Sequence, residues 1–151
     1  MTTVEFQSRQ SVEQVEEGTD FAPQFGAAGL MPCITSDART GDVLMLGWMN
    51  NEALRLTIET GEAHYFSRAR QVLWRKGATS GLVQKVIDAR IDGDQDAIWL
   101  KVSEAGSGAS CHVGYRPAGI GRRQTGSLEL RGRSWSYRCA KKPIPSGISN
   151  A

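Results

Sequence analysis

An α+β fold, mostly β with one early helix and an antiparallel or mixed sheet, is what this sequence predicts. Three observations carry the prediction. Short runs rich in aromatic and β-branched residues recur between residues 30 and 138, each bounded by Gly, Asn, Asp or Ser. A single ten-residue segment has a capping residue at its start and a glycine at its end. No run of helical periodicity follows it, so strands do not alternate with helices as they would in a parallel α/β sheet.

The elements follow in order. Residues 1–28 have low hydrophobicity and run into Phe25-Gly26-Ala27-Ala28-Gly29, which predicts a mobile N-terminal arm. Residues 30–35 and 43–49 predict a hairpin turned around residues 37–42 at Thr40-Gly41. Asn50 is a good N-cap, and Asn51–Thr60 is a helix stopped by Gly61. Strands are expected at 63–67, 72–76, 83–91, 97–103 and 134–138. The segments 106–110 and 114–132, rich in glycine, read as loops. No internal repeat is present. The chain divides into an arm (1–28), a folded domain (29–138) and a C-terminal tail (139–151).

Composition narrows the function classes. With 151 residues, 40% of them hydrophobic and 23% charged, the chain suits one ordinary globular domain with a real core. No stretch approaches a membrane span, and residues 1–20 are polar and acidic, so a cytoplasmic protein is expected. Three scattered cysteines, Cys33, Cys111 and Cys139, are too few for a disulfide framework. The net charge of +2 hides an asymmetry: residues 1–28 carry five acidic groups against Arg9, whereas 116–142 carry six arginines and two lysines against Glu129. Such a basic tract suits a phosphorylated small molecule, an acidic partner or nucleic acid. It lacks the regular aromatic interleaving that nucleic-acid binding favours, so nucleic acid is not expected.

The sharpest chemical signal is Asp92-Gly93-Asp94-Gln95-Asp96, set between two apolar runs. In an extended strand, alternate residues share a face about 6.6 Å apart. Carboxylates so placed repel one another, and a hard cation such as Mg²⁺ or Ca²⁺ relieves that cost. A flat strand would spread the outer pair too far for one ion; Asp92-Gly93, a favoured turn dipeptide, would supply the curl. An EF-hand is excluded, because its sixth and twelfth loop positions would be Ala97 and Ser103. Spacing alone leaves a solvated acidic hairpin tip open.

A second cluster lies at residues 67–81. Ser67, Arg68 and Arg70 can hold a phosphate through charge-assisted hydrogen bonds. Trp74, Lys76, Thr79 and Ser80 add an aromatic face, a cation and two hydroxyls, which together suit a nucleotide-like phosphate ester. Each piece alone is also what a surface hairpin contains. Cys111-His112 offers a soft ligand and a general acid–base, although a lone Cys is commonly a small buried hydrophobe. His64 is placed with Phe66 on one strand face, and its role stays open.

These residues also carry a resemblance. Trp48-Met49-Asn50, Ala63-His64-Tyr65, Ser67-Arg68-Ala69-Arg70, Trp74-Arg75-Lys76-Gly77, Thr79-Ser80-Gly81, the aspartate trio and Cys111-His112-Val113-Gly114 resemble the phosphoribosyl-AMP cyclohydrolase family, in order, over residues 29–116. The resemblance implies hydrolysis of the N1–C6 bond of the adenine ring of phosphoribosyl-AMP in histidine biosynthesis. It implies a homodimer with shared active sites, Mg²⁺ on Asp92, Asp94 and Asp96, and Zn²⁺ on three cysteines. The chemistry this reaction needs points to His112 and Asp94 in catalysis, and the cluster of Ser67, Arg68, Arg70, Trp74, Lys76, Thr79 and Ser80 suits the substrate. The chain departs from the pattern at the zinc site. Two of the family's cysteine positions are Gly93 and Ala118, leaving only Cys111 as a Zn²⁺ ligand. Ala78 and Leu82 replace an acidic residue and a histidine that flank the Thr-Ser-Gly loop in the family. Three functions remain open: a zinc-independent cyclohydrolase, a related hydrolase of another phosphorylated nucleotide or heterocycle, and a non-catalytic phosphate-ligand-binding homologue.

Overall fold

The computed structural model describes residues 3–104 and 142–143. Within them, seven strands and two helices run in the order α1 (Val12–Glu16), β1 (Met31–Asp37), β2 (Val43–Met49), α2 (Asn51–Thr60), β3 (His64–Ser67), β4 (Val72–Arg75), β5 (Gln84–Ile91), β6 (Ile98–Glu104) and β7 (Lys142–Pro143). The predicted strand at 134–138, the loops at 106–110 and 114–132, Cys111-His112, Ala118, Cys139 and nearly all of the basic tract lie outside the described residues.

Five strands form a mixed sheet in the order β2-β1-β6-β5-β7. β1 pairs antiparallel with β2 (Cys33 opposite Gly47) and parallel with β6 (Cys33 opposite Ile98). Pro32, which has no N–H to give, lies one residue outside the β1–β6 ladder, where the missing donor costs nothing. β5 and β6 form a hairpin whose register slips between Val86 and Asp88, leaving Ile87 as the extra, exposed residue of a bulge. β3 and β4 make a second, two-stranded sheet.

Alternation explains which side is core. Met31, Cys33 and Thr35 of β1 face inward with Leu100 and Val102 of β6 and Val86 of β5. Helix α2 closes that side with Ala53, Leu54, Thr57 and Ile58, a stripe at helical spacing. Both ends of α2 are fixed as the sequence predicts. Asn50 Oδ1 accepts from the Ala53 N–H (2.8 Å), and Gly61, at φ +70°, donates to Thr57 O (3.0 Å). The β1–β2 turn is likewise tied locally, Asp37 Oδ1 accepting from the N–H groups of Arg39 and Thr40.

The N-terminal stretch corrects an expectation. Read as a mobile arm, residues 3–28 instead fold back onto the domain. Val15, Phe21 and Ala22 are buried, and Phe6 meets Phe21 edge-on at 5.3 Å between ring centroids. Helix α1 lies within it, capped by Ser11. Its apolar residues are too widely spaced to show any period, so only their long-range partners reveal them as core. The tail residues 142–143 also pair, antiparallel with β5 at Arg90 and Ile91.

Candidate active site

The aspartate trio sits on the β5–β6 turn. The Gln95 N–H donates to Asp92 O (3.2 Å), closing a tight turn, and the Asp92 N–H donates to Ala97 O (3.2 Å). The left-handed residue that completes the connection is Gln95, at φ +59°, and not Gly93, where the sequence placed the curl. Asp92 Oδ1 accepts from the N–H groups of both Asp96 (3.0 Å) and Ala97 (3.1 Å). The result is convergence: carboxylate oxygens of Asp92, Asp94 and Asp96 lie within 4.8 Å of one another. Oxygens on opposite sides of one octahedral Mg²⁺ stand about 4.2 Å apart, and about 5 Å around Ca²⁺. Small rotations of the exposed Asp94 and Asp96 side chains therefore suffice to seat one ion. The mutual repulsion is visible in Asp96. Desolvation, then the hydrogen bond and charge of Asp92, then Asp94, raise its carboxyl from 3.8 to about 6.

Among the described residues the donor set is three carboxylates, an all-oxygen set of the kind a hard cation takes, with no thiolate beside it. Gly93 contributes no donor, and a Cβ there would point into open space. Cys33 is wholly buried in β1, where desolvation pushes its thiol up to about 12 against a smaller opposing effect from Thr35. It is a core residue and no ligand.

The second cluster forms a cleft of about 460 Å³ between β2, β3 and β4, lined by Trp48, Tyr65, Ser67, Arg68, Arg70 and Trp74 among others. The β3–β4 turn places the arginines: Arg70 N–H donates to Ser67 Oγ (3.2 Å), Gln71 adopts φ +53°, and its Nε2 donates to Arg68 O (2.6 Å). The Arg68 guanidinium lies 4.6 Å from the Trp48 ring centroid, so cation and aromatic face are presented together. Trp74 packs on Tyr65 at 5.3 Å, and Lys76 Nζ is 5.8 Å from the Trp74 ring. The cleft floor is tied together by buried hydrogen bonds. The Tyr65 hydroxyl is 2.7 Å from Thr35 Oγ1 and donates to Gln84 Oε1 at 2.6 Å, and Gln84 Nε2 donates to Glu104 Oε1 at 3.1 Å. Gly47 is required beneath that ring, because a Cβ would meet Tyr65 Cδ1 at 2.6 Å.

Of the residues singled out in sequence, Ser67, Arg68, Arg70 and Trp74 line one cleft with Lys76 beside it. Thr79 and Ser80 stand on the exposed 77–81 turn and not in the cleft lining. That turn is folded hard against residues 82–83, which is why Gly77 occupies it at φ +89°. His64 has a structural setting: its N–H donates to Thr57 Oγ1 (2.9 Å) and its Nδ1 lies 2.7 Å from Glu62 O. Sequence reasoning missed Gln95 and Tyr65 as supports, because their partners lie far along the chain. The strand register sets cleft and trio at the same end of the sheet. Gly47, Cys33, Ile98 and Ile91 are level, and the outer two are three strand spacings, about 14 Å, apart.

A protein-family model described as phosphoribosyl-AMP cyclohydrolase matches residues 45–117, a span that holds both clusters. A phosphoribosyl-AMP cyclohydrolase of Rhodopseudomonas palustris is 58% identical over 106 residues, which is 70% of this chain and 71% of that protein. The protein of that name from Nitrobacter hamburgensis is 58% identical over 102 residues, 68% of each chain. That of Brucella canis is 59% identical over 102 residues, 68% of this chain and 73% of its own. The chain belongs to the phosphoribosyl-AMP cyclohydrolase family. The α+β fold expected of that family is the one observed, and the resemblance read from short motifs extends over about two thirds of the chain. Among the described residues, no helix is long and apolar enough to cross a membrane.

Proposed function

We propose that this protein hydrolyses the N1–C6 bond of the adenine ring of phosphoribosyl-AMP, in histidine biosynthesis, with a divalent cation held by Asp92, Asp94 and Asp96. The observation that carries the reading is the convergence of the three carboxylates within 4.8 Å, on a chain 58% identical to curated cyclohydrolases. Water adds at C6, the N1–C6 bond breaks, and the departing N1 takes a proton. When bound, the cation lowers the pKa of water and stabilises developing negative charge.

The chain's own groups supply the rest. Ser67, Arg68 and Arg70 hold phosphate oxygens through charge-assisted hydrogen bonds, and Trp74 offers a face for the base. Lys76, beside Trp74, adds positive charge at that wall. Thr79 and Ser80 contribute hydroxyls from the neighbouring turn. Asp94 is the catalytic carboxylate and His112 moves the proton to N1. Zinc is not assigned a role, since Gly93 and Ala118 leave Cys111 without the two thiolates a three-cysteine centre needs.

A homodimer is part of the reading. Ile34 and Leu46, opposite one another across β1 and β2, are 47% and 59% exposed on the sheet face away from the core, where a second copy would cover them. A cytoplasmic setting is part of the same reading, supported by a phosphorylated substrate that does not cross membranes unaided. The glycine at position 93 favours one second reading, a hydrolase of a related phosphorylated heterocycle. The deciding experiment is a turnover assay with phosphoribosyl-AMP at varied Mg²⁺, with metal analysis of the same sample. Mg²⁺-dependent ring opening in protein holding less than stoichiometric zinc supports the proposal. Absence of turnover with every divalent ion tried passes the case to the second reading.

A further inference from the structure

Gln95 stands between two exposed aspartates at the tip of a hairpin, yet only 1% of its surface is accessible. Its Nε2 donates to Val15 O (2.9 Å) and Asp20 O (3.0 Å), and its Oε1 accepts from the Ala22 N–H (2.9 Å). Its backbone carbonyl accepts from the Gln24 N–H (2.7 Å). Next to it, Arg9 Nη1 donates to Asp94 O and to Ala22 O, each at 2.9 Å. Every one of these partners comes from the N-terminal stretch, more than seventy residues away in sequence.

From this arrangement we infer that residues 9–24 are an external brace which, through Gln95, preorganises the aspartate turn for its cation. The inference rests on the cation reading given above. Three carboxylates held this close repel, and a free hairpin tip would relax by splaying them. Gln95 also sits in a left-handed conformation that a non-glycine residue adopts at a cost. Hydrogen bonds from a separate, packed segment hold both in place before the ion arrives. A site held in its bound geometry binds more tightly, because ordering is not charged to the binding step. Gln95 is thus a positioning residue: its amide bonds the brace, while the neighbouring carboxylates of Asp92, Asp94 and Asp96 are the groups that would hold the ion.

The test uses Mn²⁺ as the probe, read by electron paramagnetic resonance on the full chain without substrate, beside thermal melts of each variant. Gln95→Met keeps length and burial and removes three side-chain hydrogen bonds. Arg9→Ala removes one support of the turn from the surface. The expected results are a Kd for Mn²⁺ raised at least about tenfold in Gln95→Met, at temperatures where it is fully folded, and about twofold to threefold in Arg9→Ala. A folded Gln95→Met protein with the wild-type Kd overturns the inference and leaves the segment as a mere fastening of the core. If Gln95→Met does not fold, Arg9→Ala decides, and an unchanged Kd overturns it. Wild-type protein that takes up no Mn²⁺ overturns the cation reading itself, and the brace with it.

Discussion

Replacing Tyr65 by Phe removes one oxygen from the floor of the cleft, and the structure sets the size of the effect. Tyr65, Thr35 and Gln84 are all essentially inaccessible to water. The hydroxyl donates to Gln84 Oε1 at 2.6 Å and lies 2.7 Å from Thr35 Oγ1. Without it Gln84 Oε1 loses its donor, and the Thr35 hydroxyl keeps only the Cys33 sulfur at 3.8 Å. An orphaned buried acceptor costs about 1–3 kcal/mol and a weakened donor about 1 kcal/mol, so a loss of about 2–4 kcal/mol is expected. The space left is one oxygen wide, too small for a bridging water to restore the bonds. The assay is urea unfolding at neutral pH, with an expected fall in midpoint of roughly 1–2 M at unchanged slope. A loss below about 0.5 kcal/mol would refute the reasoning, since the three groups could not then be a closed, dry network. Gly47→Ala tests the same floor from below. Its Cβ would meet Tyr65 at 2.6 and 2.9 Å, and the ring is held by its hydroxyl bonds and by Trp74, so about 1–3 kcal/mol should be lost.

Other outcomes follow from the site. Asp94→Asn should weaken Mg²⁺ binding and reduce ring opening at least about a hundredfold, measured by titration and steady-state kinetics; full activity with unchanged Mg²⁺ dependence would reduce the trio to an acidic turn. Asp96 holds its proton more tightly folded than unfolded, so metal-free stability should fall as pH rises from 3.8 to about 6, and Asp96→Asn should flatten that slope in pH-dependent melts. Because the cation needs the deprotonated carboxylate, Mg²⁺ affinity should drop as pH falls through about 6. Arg68→Ala, which strips a cation from the cleft, should raise KM for phosphoribosyl-AMP about tenfold or more with a smaller change in kcat. Cys33 should resist alkylation in native protein by mass spectrometry, since burial holds its thiol near 12.

Local chemistry determined much of this protein from sequence alone. Helix α2 (Asn51–Thr60) is capped by Asn50 and Gly61 as read, because a side-chain cap and a left-handed glycine act within a few residues of the bonds they complete. The β1–β2 hairpin, β3 and β4, and β5 and β6 fall within two residues of the sequence reading, the largest difference being β1, which runs on to Asp37, since alternation and turn residues are also local signals. The aspartate trio and the Ser67, Arg68, Arg70 and Trp74 group were legible because each lies in one short stretch. What only the tertiary structure decided depends on contacts across the chain. The parallel pairing of β1 with β6 joins residues more than sixty positions apart, and no local pattern encodes it. The N-terminal stretch looked solvated because its few apolar residues are dispersed, and they become core only against partners elsewhere. Gln95 reads as one more polar residue in an acidic turn; its burial exists only once Val15, Asp20 and Ala22 are folded over it. Sequence names the groups that can do chemistry, while the distances at which they meet are set by long-range packing.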